Sequence, residues 1–403
     1  MSLVNPHAFL WAANYEYPWA LLVAVPTIVG YICFSFSLKR LMSGEVFLMV
    51  VLWGWFTFTT LHNTQQPEFV HFAQDTWLKW NSFSKILLMT FATIGIVNTW
   101  QRLRTLLLVI SGCLGILVVK AIPFMILTGG SFRLYGPPGS SLADNNDFGL
   151  ALNMTIPLLF FIGKVDPNPR VRKVMMFVFL WTIPAVFFTY SRGALIGLAA
   201  VMVLILVQMR QRILLVPILV LAGLLAVFFT PERWQQRMDF RREGALIDDS
   251  ALSRINAWTY CWRLVQDYPL TGAGFDAFTP RLFDRYAPNP RDVHGPHSVY
   301  FGVLAEHGFL GLGFYLTLLL SAFLSLRQQV RFARVYDDER IEAYGNALRV
   351  SLVGFVVSGA FLGRAYFDYY FTIIACAVIL KALSRSQESE MSDIGAEMEA
   401  QLA

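Results

Sequence analysis

The chain has 403 residues, of which 56% are hydrophobic and only 15% charged, with a formal net charge of +5 and a mean hydropathy of +0.52. So apolar a composition excludes a soluble globular domain. The hydrophobic residues also form long unbroken runs, whereas a β-barrel would show alternation.

About eleven runs of roughly 16 to 25 residues are present, each long enough for an α-helix to cross about 30 Å of hydrocarbon. In chain order they cover 19–37, 44–60, 83–98, 105–127, 148–163, 174–190, 193–209, 213–229, 298–326, 347–363 and 365–383. The first has no basic region before it and no small-residue cleavage site after it, so it is expected to remain as a span. Cys33, Cys113 and Cys376 fall in spans and Cys261 in a long loop, a scatter that supplies neither disulfide nor zinc spacing.

Basic residues orient the spans. Lys39 and Arg40, Arg102 and Arg104, Lys164 to Lys173, Arg210 and Arg212, and Arg327 to Arg334 recur on alternate loops, hence on one common side, expected to be cytoplasmic. The other side then carries 1–18, 61–82, 128–147, the hairpin at Ser191 and Arg192, the long loop 230–297 and the hairpin at Arg364. Residues 384–403 are acidic and lack apolar periodicity, which predicts a disordered tail. The chain thus divides into transmembrane helices within 1–229, an external loop domain at 230–297, further spans in 298–383, and the tail. Eleven spans with the tail inside place Met1 outside. Either a helix precedes it, or Met1 to Trp19 lies along the interface with Trp11, Tyr15, Tyr17 and Trp19 as an aromatic anchor.

Several polar groups stand where the pattern is otherwise apolar. Lys120 lies about seven residues inside the external end of its span, roughly 10 Å down. It either snorkels outward or holds an anionic ligand. Asp144-Asn145-Asn146-Asp147 has helix-capping chemistry, with Asn146 and Asp147 as candidate cavity-lining residues. Arg192 sits between two spans with almost no loop, which keeps its guanidinium at the external boundary.

The loop 230–297 holds nine arginines and no lysine. A guanidinium presents a planar fork to phosphate or carboxylate, whereas an ammonium acts as a point charge; pairing with headgroups or neighbouring acids is the alternative. Ser250 to Leu264 has helical periodicity, placing Arg254 beside Trp258. Trp258 either packs in a core or offers a sugar ring a stacking surface. The glycines of Pro269 to Phe275 (PLTGAGF) are expected to serve tight backbone geometry, because a lone Gly-rich turn is weak ground for phosphate binding.

The stretch from Asp292 to Phe314 runs from a loop carrying His294 and His297 into a helix containing Glu306 and His307. At 100° per residue, His297, Phe301, Leu304 and Gly308 share a face and Glu306 points away. Glu306 is therefore expected to brace the helix, not to orient His297. The two loop histidines lack a third ligand at suitable spacing, so no metal or cofactor is expected. A neutral histidine accepts a proton from a hydroxyl near pH 7, and arginines stabilise a departing pyrophosphate.

The pattern of His297-Ser298, Glu306-His307-Gly308 and Gly311, with the long external loop and the Ser191-Arg192-Gly193 hairpin before it, resembles the O-antigen ligase and polymerase superfamily of bacterial envelopes. The start Ser2 to His7 and the segments Tyr135 to Gly139 and Asp144 to Phe148 resemble its O-glycosylation ligase branch. The resemblance covers nearly the whole chain and implies an all-α polytopic membrane protein of about 11–12 transmembrane helices and GT-C type. It implies metal-independent, inverting transfer of a preassembled glycan from undecaprenyl pyrophosphate to an acceptor at the periplasmic face of the bacterial inner membrane, and lipid A core is the expected acceptor. By that likeness His297 corresponds to the family's essential histidine, Arg192 to its hairpin arginine and Arg254 to its loop arginine. Lys120, Arg133, Asn146, His294 and Trp258 join them as candidate substrate-binding residues. Membrane lipids are expected partners and nucleic acid is not. The chain departs from the family in having one span fewer and in placing Ser298 where asparagine often follows the histidine. A polymerase, a protein O-oligosaccharyltransferase or, from another class, a transporter remain alternatives; a transporter predicts paired broken helices in internal repeats, which the sequence lacks.

Overall fold

A computed structural model describes residues 19–34, 41–129, 131–208 and 249–402. Among them every regular element is helical. The helices are α1 (Trp19–Phe34), α2 (Gly44–Asn63), α3 (Ala73–Ile96), α4 (Trp100–Leu127), α5 (Asn145–Val165), α6 (Pro169–Phe188), α7 (Arg192–Gln208), α8 (Asp249–Asp267), α9 (Pro280–Tyr286), α10 (Val299–Val335), α11 (Glu339–Gly359) and α12 (Asp368–Leu402). Six of these are long and apolar enough to cross a membrane: α2, α4, α5, α6, α10 and the part of α12 up to Glu388. The chain is an all-α polytopic membrane protein. The expected run 213–229 and the proposed aromatic anchor before Trp19 lie outside the described residues, as do Arg233, Arg237, Arg241 and Arg242.

Local chemistry starts these helices where the apolar runs begin. Ser43 accepts from the Val46 N–H, Thr99 from Arg102, Asp144 from Asn146, Asn168 from Arg170 and Asp338 from Ile341, each satisfying an N–H that the first turn leaves open. Helix α5 is the centre of the bundle, with 89% of its apolar window buried. It carries a π-helical turn at Leu158–Ile162. Most other spans leave one apolar side open, including Ile116 at 65% exposure on α4 and Val174 at 60% on α6, as helices facing lipid do.

Helix ends assigned to the basic side meet one another. Arg104 grips Asp166 through two hydrogen bonds of 2.8 and 2.9 Å, the Arg340 guanidinium lies 4.0 Å over the Trp100 ring, and Lys381 donates to Glu45 at 2.9 Å. The last helix does not end there: where an irregular tail is expected from 384 onward, α12 continues to Leu402. A strongly polar stretch without an apolar face can still be helical when it extends a helix already nucleated, because propagation costs less than nucleation.

At the opposite ends, the long loop has a core of its own. Tyr260, Leu264 and Phe283 from α8 and α9 pack with Phe69 and Phe72 from the 61–82 loop and with Ala305 from α10. Cys261 is buried in this unit and unbridged. Arg285 fastens the rim by bonding Glu68 at 2.8 Å and Asp267 at 3.3 Å.

The two units join at a break in α10. Gly308 has φ 69° and ψ −171°, so Val299–His307 and the long span after it are separate helical pieces. Carbonyls released by the break find new donors: Ala305 O accepts from Ala273 N at 2.9 Å, Glu306 O from Gly274 N at 2.8 Å, and His307 O from the Trp55 indole at 3.1 Å. The Phe309 N–H in turn donates to Pro269 O at 2.8 Å. The Gly-rich loop is therefore a backbone partner of the break. A Cβ at Gly272 would stand 2.5 Å from Ala305 O, so the absence of a side chain there is a packing requirement.

Candidate functional site

The bonds just described hold Val299–His307 as a short, fixed helix, and His297 stands immediately before it with φ 43°. A non-glycine residue in the left-handed region is held there against an intrinsic preference, a form of strain that clusters at functional sites. What over-determines it is visible. Trp258 of α8 donates its indole N–H to Pro296 O at 2.7 Å and lies parallel to Phe301, with centroids 5.2 Å apart. Asn256 holds the same loop further back, bonding Asn289 O at 3.0 Å and Asp292 O at 3.2 Å. On the other side the loop 360–367 presses in, with Gly363 so close that a Cβ on it would lie 3.5 Å from His297 Cα.

The electrostatics around His297 favour a neutral ring. Its side chain is accessible but enclosed on most sides, and partial burial, then the Arg254 charge, then His294 lower its pKa below the ordinary imidazole value, with Asp144 acting the other way. Removing Arg254 as a charge (Arg254→Gln) is therefore expected to raise the His297 pKa and move the acid limb of a pH–rate profile upward. Asp144→Asn is expected to move it downward. Opposite signs from the two variants, read from kcat/KM against pH, are the check; a common direction would mean that another group sets the limb.

His294 has its ring centroid 5.8 Å from that of His297. Its Nδ1 faces Gly295 O at 2.8 Å, which assigns that nitrogen the proton, and its Nε2 faces the Asp292 carboxylate at 3.4 Å. Arg254 projects from the second turn of α8 and acts on His297 through its charge.

Arg192 is the first residue of α7, two positions after Tyr190, whose φ of 58° reverses the chain. Ser191 Oγ accepts from the Ala194 N–H at 3.2 Å. Gly193 brings this turn against Phe361 and Leu362, the same loop whose Gly363 meets His297. The hairpin arginine and the loop histidine thus flank one short segment. Within it Arg364 forms an ion pair of 2.5 Å with Asp147 on α5. Asn145 ties the same turn to Thr189 O at 2.7 Å, and Asp144 supplies the cap as the sequence suggests. Asn146, on that turn, is half-buried.

Lys120 and Arg133 stand elsewhere on this face, together lining a cavity of about 390 Å³ between α4 and the 131–144 loop. Glu306 and His307 do not join His297. The Glu306 carboxylate accepts from the Asp276 N–H at 2.9 Å and from the Tyr366 hydroxyl, while His307 bonds Thr59 at 2.7 Å and stacks on Phe56 with centroids 3.7 Å apart. Both brace the helix break, as the helical phase of Glu306 implies. The Arg364–Asp147 pair and Tyr366 were not singled out from sequence. Arg364 carried the signal that picked out Arg192, an arginine in a hairpin with little room between two spans.

Residues 177–316 match the family described as O-antigen ligase, and residues 1–166 match a family of unknown function. Over residues 177–316 the chain is thus similar to the O-antigen ligase family. A search among curated proteins finds no match. The O-antigen ligase match includes Arg192, Arg254, His294 and His297, so both arginines flanking the loop histidine fall inside the matched region. Lys120, Arg133 and Asn146 fall in the other.

Proposed function

We propose that the chain is an O-antigen ligase that moves a preassembled glycan from undecaprenyl pyrophosphate to lipid A core, with its active site on the periplasmic face of the bacterial inner membrane. The observation that carries this reading is the placement of His297, strained and biased toward the neutral form, with Arg254 acting on it and Arg192 across the 360–367 loop. In the proposed reaction the donor enters from the bilayer and Arg192 and Arg254 hold its diphosphate. An acceptor hydroxyl attacks the anomeric carbon from the face opposite the diphosphate. As the new C–O bond forms, His297 takes the hydroxyl proton, and the sugar–diphosphate bond breaks with its electron pair leaving on the lipid diphosphate. Attack from the opposite face inverts the anomeric centre.

The test is reconstitution of the purified chain with an undecaprenyl-linked glycan and three acceptors offered separately: lipid A core, further lipid-linked glycan, and an unfolded protein. Glycosylated lipid A core is the expected product. Chain lengthening on the lipid-linked glycan alone would make the enzyme a polymerase, and modification of protein alone an O-oligosaccharyltransferase. Because the proposed clamp consists of guanidinium groups, transfer is expected to proceed in EDTA at the rate seen with magnesium. Loss of activity in EDTA and its return on adding metal would overturn the clamp.

A further inference from the structure

The cavity shared by Lys120 and Arg133 is a built feature. Its floor is Phe148 on α5 and the outer turns of α4, and its roof is the 131–144 loop. That roof is fixed: Leu134 donates to Phe188 O at 2.8 Å, and Gly136 lies so close to Leu142 that a Cβ there would stand 2.0 Å from the Leu142 carbonyl oxygen. Among the described residues two cations and no carboxylate line the space, and its other walls are aliphatic, aromatic and proline side chains. At about 390 Å³ it falls within the ~300–1,000 Å³ range of small-molecule sites. Phe124 on its wall is 42% exposed toward the lipid-facing side of α4. Positive charge beside an apolar opening suits an anionic head carried on a hydrocarbon chain.

The cavity also neighbours the reaction site. Phe148 follows Asp147, whose partner Arg364 follows Gly363, the residue against His297. The cavity floor and the Arg364 partner thus both come from the first turn of α5. The reaction proposed above changes the charge of the diphosphate: the donor's terminal phosphate is a diester with one negative charge, and after transfer it is a monoester. With a second pKa near ~6, a phosphate monoester carries close to a second charge at neutral pH.

We propose that the Lys120–Arg133 cavity is the site that receives the polyprenyl diphosphate released by transfer, drawing it from the catalytic clamp by this added charge. The inference rests on the lipid-diphosphate donor of the proposed function. It makes the cavity selective for a free diphosphate on an isoprenoid chain over the phosphodiester head of an ordinary phospholipid.

The experiment is equilibrium binding of tritiated farnesyl diphosphate to the purified full chain in detergent, with phosphatidylglycerol and farnesyl monophosphate as competitors. The double variant Lys120→Gln/Arg133→Gln is expected to bind the probe at least about tenfold more weakly, and Lys120→Arg within about threefold of the unaltered chain. Both competitors are expected to be at least about tenfold less effective than unlabelled farnesyl diphosphate. Arg133→Gln alters a half-buried loop side chain and serves as the variant least able to disturb folding; it is expected to weaken binding about threefold or more. Unaltered binding in the double variant, or equal competition by phosphatidylglycerol, overturns the proposal. If binding is lost only in Arg192→Gln, the clamp alone holds the diphosphate; the cavity is then dismissed and the ligase reading stands. If the cavity binds the probe but the reconstituted chain transfers no glycan, the ligase reading falls and the diphosphate site remains.

Discussion

Replacing His297 by alanine is expected to lower glycan transfer by about 10²–10⁴-fold, the usual contribution of a positioned general base. Donor binding should change little, because the proposed diphosphate contacts belong to Arg192 and Arg254. The two quantities are separable in one preparation: single-turnover transfer to lipid A core on one hand, retention of the undecaprenyl-linked glycan on the other. An alanine variant that transfers at the normal rate would remove the base assignment. The backbone supplies an independent control. His297 sits at φ 43°, where a non-glycine side chain costs on the order of 1–3 kcal/mol. His297→Gly should therefore be as inactive as His297→Ala yet melt at a higher temperature. That pairing would separate loss of the imidazole from loss of fold.

The second large effect concerns stability. Gly308→Ala is expected to destabilise the chain by about 3 kcal/mol or more, seen as a lower thermal midpoint and reduced yield of folded protein. At φ 69° and ψ −171° the backbone is in a region essentially reserved for glycine. A Cβ there would stand 2.2 Å from Leu270 O and 2.7 Å from Pro269 O, the carbonyls of the loop that seals the break. Neither can retreat without losing the Phe309 N–H bond to Pro269. Gly313→Ala, five residues on and facing open space, should be neutral or slightly stabilising, since alanine favours a helix interior. Equal behaviour of the two variants would show that the break is not held as described.

Ten of the expected apolar runs lie on helices because the requirement to bury every backbone polar group in lipid leaves little freedom: length and hydropathy decide the element. Glu306 was legible for a similar reason. Its helical phase relative to His297 survives because Val299–His307 is regular. The break at Gly308 was not legible. Its cause is a set of hydrogen bonds to residues 269–274, some thirty-five positions earlier in the chain, and no local pattern encodes such a partner. The same limit hid the Arg364–Asp147 pair, whose members are joined only when α5 meets the 360–367 loop. Trp258 shows a third kind of limit. Its spacing beside Arg254 was readable, but its indole hydrogen bond to Pro296 depends on where another segment ends. The long α12 shows that composition alone is a weak guide once a helix has started.

The divided α10 also bears on how the protein meets membranes of different thickness. A span longer than the hydrocarbon layer accommodates by tilting, and a straight rod from Val299 to Val335 would transmit that tilt to its outer end. Instead, the outer nine residues are fastened by their carbonyls to the 273–274 segment and by Ala305 to the extramembrane core. Gly308 interrupts the rod, so a tilt of the long inner piece is not carried along one continuous helix to the residues beside the loop histidine.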